Sequence, residues 1–213
     1  MKVVAVNGSP KPRGSTSEKV IKQMEKLLNT EIETHQALPL TRGQTPPEAI
    51  EAMLRADTLL IVFPLYIDAL HTSLIELLTR LEDAARTATA KPKVFAIVNC
   101  GYFESHHNVC ALKMVEHFAN RAGLAWGCGL GIGCGGMLSS LGESWEKGPA
   151  SSIYNAMRDI ADMIQSGKSG QNLFAVPKIP RLLGKVFGNA YMRSEAKKNG
   201  AKDLWARPYA KSL

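Results

Sequence analysis

The sequence predicts an α/β fold in which a five-stranded parallel sheet lies between two layers of helices, extended by a basic helical tail at the C-terminus. Three observations carry this expectation. Five apolar, strand-like runs alternate with segments of helical periodicity, and parallel neighbours require right-handed crossover helices that cover both faces of the sheet. The run at residues 58–63 is apolar almost throughout, as a strand covered on both faces must be. With 213 residues, 45% hydrophobic and 21% charged, the chain has a globular composition. One core usually takes roughly 100 to 200 residues, which leaves room for an appendage.

The first strand is placed at residues 2–7. In the helix after it, Val20, Ile21, Met24, Leu27 and Leu28 share one face. A weaker strand fits residues 32–36. Thr45-Pro46-Pro47-Glu48 then opens a brief helix, with Thr45 as N-cap, a proline in the first turn and Glu48 completing a capping box. Residues 58–63 form the third strand, and Leu70, Leu74, Leu77, Leu78 and Leu81 supply the helix that follows. The fourth strand covers residues 94–98 and the fourth helix 108–122, ended by Gly123. A glycine-broken fifth strand at residues 124–132 precedes a helix carrying Ile153, Met157, Ile160, Ala161 and Ile164, stopped by Gly167.

Ligands of such sheets lie at the carboxyl ends of the strands, where the strand order reverses, so the loops after strands one, three and four are the candidate site. The first, Asn7-Gly8-Ser9-Pro10-Lys11-Pro12-Arg13-Gly14-Ser15-Thr16-Ser17, is neither a dinucleotide GxGxxG nor a triphosphate GxxxxGK[ST] loop. Three consecutive hydroxyls beside Gly14 and Arg13, at a helix N-terminus, suit a terminal phosphate dianion. An ordinary Ser/Thr cap explains one hydroxyl, not three and an arginine.

The second loop is Phe63-Pro64-Leu65-Tyr66-Ile67-Asp68-Ala69-Leu70; the third is Asn99-Cys100-Gly101-Tyr102-Phe103-Glu104-Ser105. Apolar walls with a few backbone donors are what a flat ring system needs. Pro64 sets the turn so that the following amides can point outward, and Tyr66 or Tyr102 can stack on a ring. His106 and His107 follow; they serve equally as proton-transfer groups or as a solvated helix start. Glu104 either contacts the ligand or favours the next helix N-terminus.

Charge and cysteine usage narrow the classes further. The net charge is +7, yet residues 1–169 carry 17 Lys and Arg against 17 Asp and Glu. The tail holds nine bases against Glu195 and Asp203. A neutral globular part argues against nucleic acid as a partner, and equally against an electron carrier that docks through an acidic face. No apolar run reaches the roughly 18 residues of a membrane helix, and the N-terminus passes straight into a strand, so a cytoplasmic chain without an integral membrane segment is expected. Cys100, Cys110, Cys128 and Cys134 fit no CxxC spacing and predict neither metal nor disulfide.

Ser9 to Ser17, Pro64-Leu65-Tyr66 and Gly101-Tyr102-Phe103-Glu104 resemble the NAD(P)H-dependent FMN reductase branch of the flavodoxin-like flavoproteins, over about residues 1–165. The resemblance implies a flavodoxin-like three-layer sandwich and bound FMN, with NADPH or NADH as co-substrate. It implies a phosphate on Ser9, Arg13, Ser15, Thr16 and Ser17, with Lys11 beside them. The isoalloxazine is then expected between Pro64, Leu65, Tyr66, Ile67 and Asp68 on one side and Asn99, Cys100, Gly101, Tyr102 and Glu104 on the other. Members are commonly oligomers, so a homodimer is expected, reducing a small-molecule acceptor such as a flavin or quinone. A flavodoxin-type carrier and a non-enzymatic FMN-binding regulator are the alternatives. The four-cysteine cluster motif of iron-sulfur relatives is absent, and no catalytic side chain is assigned, because the hydride chemistry belongs to the cofactor.

The division expected is residues 1–169 as the FMN-binding domain and 170–213 as a basic amphipathic helix and arm. Ile179, Leu182, Leu183, Val186, Phe187, Ala190 and Tyr191 form one apolar stripe with Arg181, Lys185 and Arg193 off it. Such a helix packs on its own domain, on a second subunit, or on a membrane surface. Asn199-Gly200 ends it, and residues 204–209 follow as an extended arm.

Overall fold

Apolar residues in the sheet alternate between two cores, and this alternation sets the layers. The computed structural model describes residues 1–11, 13–37, 45–138, 142 and 144–205 of the chain. Pro12, residues 206–209 of the expected arm and the Phe187 side chain lie outside the described residues. Six parallel strands run β1 (Val3–Asn7), β2 (Glu33–Gln36), β3 (Thr58–Pro64), β4 (Lys93–Asn99), β5 (Ala125–Ile132) and β6 (Leu173–Ala175), in the order β2-β1-β3-β4-β5-β6. Val4, Val6, Leu59, Ile61 and Phe63 pack one face, under α2 (Pro47–Leu54), α3 (Thr72–Ala85) and α4 (Val109–Arg121). Val3, Ala5, Leu60 and Val62 pack the other, against α1 (Thr16–Leu28) and α6 (Ser151–Gln165). A short helix, α5 (Gly135–Leu138), follows β5.

The sheet has six strands where five were expected. Leu173–Ala175 pairs with the end of β5 through Leu130, Gly131 and Ile132. Three residues at a sheet edge are too few to show a period, so nothing in the pattern separated them from the tail. Chain contacts divide the protein into one unit from Met1 to Lys178 and a second from Ile179 to Leu213.

Thr45 does not cap α2. Pro46 holds the N-cap position without a side-chain bond, and Thr45 lies one residue earlier, where its carbonyl accepts from Arg80 at 2.7 Å. Two consecutive prolines pre-set φ for the first turn without a hydroxyl cap. The other helix ends follow their signals, with positive φ at Gly123 and Gly167 just past α4 and α6.

Strand order reverses between β1 and β3, which have opposite neighbours on their outer sides. The connections after them leave to opposite faces and open a crevice at the carboxyl end. A cavity of ≈ 530 Å³ lies elsewhere. Pro47, Ile50, Leu54, Arg80 and Thr87 line it beside the last turns of α3, so it faces the amino ends of the strands.

Candidate functional site

The loop after β1 is built by short-range polar bonds. Asn7 Oδ1 accepts from the Ser9 amide at 3.1 Å, and Ser9 Oγ accepts from the Lys11 amide at 3.2 Å. Gln36 from β2 donates to the Ser9 carbonyl. Gly14 turns the chain at φ +66°, and Ser15 caps α1 by accepting from the Glu18 amide at 3.1 Å. Lys11 Nζ donates to the Gly14 carbonyl at 3.2 Å. Arg13 is exposed and lines a concavity of ≈ 320 Å³ together with Asn7, Glu18, Lys22 and Gln36.

Thr16 Oγ1 donates to the Gly135 carbonyl at 3.4 Å, which ties this loop to the end of β5. Ser17 is 1% exposed, and its Oγ has no hydrogen-bond partner among the described residues. A buried hydroxyl left unpaired costs roughly 1 to 3 kcal/mol, so its presence at a helix N-terminus favours an acceptor delivered from outside the chain. The donor set therefore fits a phosphate: Ser17 Oγ, the Thr16 and Ser17 amides that open α1 and the Arg13 guanidinium.

The loop after β3 is a two-residue hairpin. Tyr66 and Ala69 exchange both backbone bonds at 3.0 Å, with Ile67 at φ +48° and Asp68 at φ +58° between them. Two left-handed residues in a two-residue hairpin make a type I′ turn, which normally holds Asn or Gly. Ile67 is 99% exposed at its tip. The sequence-based expectation that the amides after Pro64 point outward is corrected here. Leu65 donates to the Asn99 carbonyl at the end of β4 at 2.8 Å and Tyr66 to the Ala69 carbonyl across the hairpin, so these two amides are taken and those of Ile67 and Asp68 come next at the tip.

The loop after β4 is anchored from beneath. Asn99 Nδ2 donates to the Phe63 carbonyl at 3.2 Å, Gly135 N to the Cys100 carbonyl at 2.7 Å, and Cys134 N to the Tyr102 carbonyl at 2.6 Å. Tyr102 is exposed and its ring lies 4.3 Å from that of His107, whereas His106 stacks on Phe174 at 4.6 Å. Both histidines are thus engaged in ring packing. Gly101 has open space where a Cβ would stand. Burial pushes the Cys100 thiol up, and Cys134 likewise. Cys128, buried within β5, donates to the Gln171 carbonyl at 2.9 Å, and its thiol is pushed up to about 11, chiefly by burial. A thiol held protonated inside a strand is a packing residue.

The fold thus brings Ser9, Lys11, Arg13, Ser15, Thr16 and Ser17, then Pro64 to Asp68, then Asn99 to Glu104, to one end of the sheet, with direct bonds joining the last two loops. Sequence reasoning missed the fourth contributor, Gly133 to Gly135 at the end of β5. A Cβ on Gly133 would lie 2.2 Å from the Phe103 carbonyl oxygen, and one on Gly135 2.6 Å from Asn99 Oδ1. The Gly-Cys-Gly-Gly run at a strand's carboxyl end was the available signal.

A family model for NADPH-dependent FMN reductases matches residues 1–126, more than half of the chain. No curated protein sequence matches it. Among solved structures, an NADH:FMN oxidoreductase superposes with a TM-score of 0.58 at 16% identity, covering 79% of this chain and 90% of that one. An NADPH-quinone reductase from P. pentosaceus gives 0.54 at 16%, covering 76% and 98%. A flavodoxin, WrbA-like protein from Agrobacterium tumefaciens gives 0.52 at 12%, covering 79% and 100%. At such identities the shared property is the flavodoxin-like fold. The family match carries more: the chain belongs to the NADPH-dependent FMN reductases, oxidoreductases that use FMN with a reduced nicotinamide as electron donor.

Proposed function

We propose that this protein passes electrons from NADPH or NADH through FMN, held at the carboxyl end of the sheet, to a small acceptor such as a flavin or quinone. The observation that carries the placement is the buried, unpartnered Ser17 hydroxyl at the start of α1, one residue from Thr16 and four from Arg13. Ser9, Ser15, Thr16, Ser17 and Arg13 bind the phosphate, and Lys11 steadies the loop through the Gly14 carbonyl.

The residues from Pro64 to Asp68 and from Asn99 to Glu104 form the walls of the ring site. Ile67 and Asp68 hold the two amides at the hairpin tip, and Gly101 leaves room for a flat group against the backbone. When bound, FMN supplies the hydride and electron chemistry. The chain's task is to position the reactants and limit water at the rim, where Tyr66, Ile67 and Tyr102 are exposed. The same exposed apolar rim supports a homodimer whose second copy covers it.

The test is Arg13→Ala combined with an absorbance titration. The wild-type protein shows flavin bands that bleach anaerobically with NADPH or NADH. Arg13→Ala binds FMN about 10- to 100-fold more weakly, because a charge-assisted phosphate contact is worth roughly 1.5 to 3 kcal/mol. Flavin affinity unchanged by Arg13→Ala sinks the phosphate assignment, and bands that persist with both nucleotides sink the reductase reading.

A further inference from the structure

No residue from 179 to 213 is assigned to the redox site just proposed, and the charge excess of the whole protein sits in or beside this segment. We infer that α7 (Arg181–Lys198) is a docking element for an anionic lipid surface. Its first three turns are amphipathic: Leu182, Leu183, Val186, Ala190 and Tyr191 fall on one arc, and Arg181 and Lys185 lie off it. The apolar arc is exposed, with Leu182 73% accessible.

The second half of the helix is basic, with Arg193, Lys197 and Lys198 against a single acid, Glu195, which pairs with Lys198 at 2.8 Å. Past the helix end Trp205 is 79% exposed, and the Arg193 guanidinium lies 5.8 Å from its ring centroid. Tyrosine and tryptophan settle at headgroup level, and Lys and Arg stems lie along the apolar boundary with their charges among the phosphates.

Charge decides between the possible occupants. A second copy of the globular part offers equal numbers of acids and bases over residues 1–169, so it has no net charge to meet the nine bases that follow. An anionic bilayer does, and each Lys or Arg near its surface raises partitioning roughly fivefold. No helix among the described residues is long and apolar enough to cross a membrane. At 18 residues α7 spans about 27 Å, and its charged half keeps it in the interfacial plane.

The experiment uses the full-length protein and sedimentation with vesicles of phosphatidylcholine alone or with roughly one-third phosphatidylserine. Co-sedimentation with the anionic vesicles only, reversed by raising salt past the range where the Debye length falls below about 5 Å, is the expected result. The double variant Leu182→Glu/Val186→Glu should lose at least about tenfold in bound fraction while its flavin spectrum and melting temperature stay unchanged. Arg181→Glu/Lys185→Glu, both off the apolar arc, should lose a comparable amount. Equal binding to both vesicle types, or no binding to either, overturns the proposal. So does a fall from dimer to monomer in the Leu182→Glu/Val186→Glu protein with vesicle binding intact, because the arc would then belong to a second copy.

Discussion

The Gly14 amide donates to Glu18 Oε2 at 2.6 Å, which draws a carboxylate back over the N-terminus of α1. That carboxylate lies at the mouth of the loop proposed to receive a phosphate dianion, so the two negative groups oppose each other. Screened by water, as at this open loop, the repulsion between two unit charges about 4 Å apart is about 1 kcal/mol. Glu18→Gln keeps an acceptor for the Gly14 amide and removes the charge. FMN should bind it roughly fivefold more tightly by fluorescence titration. An unchanged or weakened affinity would show that the phosphate does not approach Glu18.

The same contact gives stability a pH dependence. The Gly14 amide foremost, then Lys22, holds the Glu18 carboxyl below its ordinary value of 4.5. A carboxyl whose folded pKa is depressed stabilises the fold above its unfolded pKa and loses that contribution as pH falls through the folded value. In the apoprotein, wild type should therefore be more stable than Glu18→Gln at neutral pH, and urea midpoints of the two should converge below about pH 4. Curves that stay parallel down to pH 3 would assign the acid sensitivity to other groups.

Ile67 offers a stabilising change. A β-branched residue at φ +48° carries roughly 1 to 2 kcal/mol of steric cost, and at 99% exposure no burial within its own chain offsets it. Ile67→Asn suits the first position of a type I′ turn and should raise the melting temperature by about 2 to 4 °C. If turnover falls at the same time, the apolar tip is used at the rim of the site. A melting temperature that does not rise would mean either that the turn relaxes out of the left-handed region in solution or that a second copy buries the tip, and the oligomeric state of Ile67→Asn separates the two.

What the sequence made legible follows physical period. Continuous apolar runs such as Leu59 to Phe63, and the leucine spacing of α3, declare themselves because burial on both faces or along one stripe leaves a pattern over many residues. The loop proposed to hold the phosphate stands out in the sequence as well, since Ser15, Thr16 and Ser17 stand together after the first strand. The I′ turn was not: Ile67-Asp68 has neither asparagine nor glycine, and its conformation is imposed by the Leu65–Asn99 bond beneath it and the Tyr66–Ala69 pair that closes it. Nor was the support from β5, because Gly133 meets the Phe103 carbonyl, 30 residues away in sequence, once the chain is folded.

Cys128 predicts the alkaline limb. Its thiol is raised from 9.0 to about 11 by burial, so the folded chain holds a proton that the unfolded chain releases first. A raised pKa stabilises fully below the unfolded value, and the contribution is lost as pH climbs from 9 towards 11. Cys128→Ala removes this titration and should flatten the decline in urea midpoint over that window. With a thiol reagent at pH 8, exposed Cys110 should react at once and Cys128 only on unfolding. Early modification of Cys128 in the folded protein would contradict its burial.

Two glycines separate the scaffold from the ligand. A Cβ on Gly133 meets the Phe103 carbonyl oxygen at 2.2 Å, a backbone atom that cannot turn aside, so Gly133→Ala must shift the third loop or the end of β5. It should cost about 1 to 3 kcal/mol of stability, and FMN affinity should fall with it. Gly101 has nothing within 4 Å of its Cβ position and lacks a left-handed φ, so Gly101→Ala should leave the apoprotein's stability within about 0.5 kcal/mol. Its flavin affinity is the discriminating quantity. A drop of about tenfold or more on an unperturbed scaffold would put the isoalloxazine against the backbone of the third loop, since only a ligand can be displaced by a methyl group that touches no protein atom. Unaltered binding in Gly101→Ala would move the ring off this loop and towards the hairpin at Ile67.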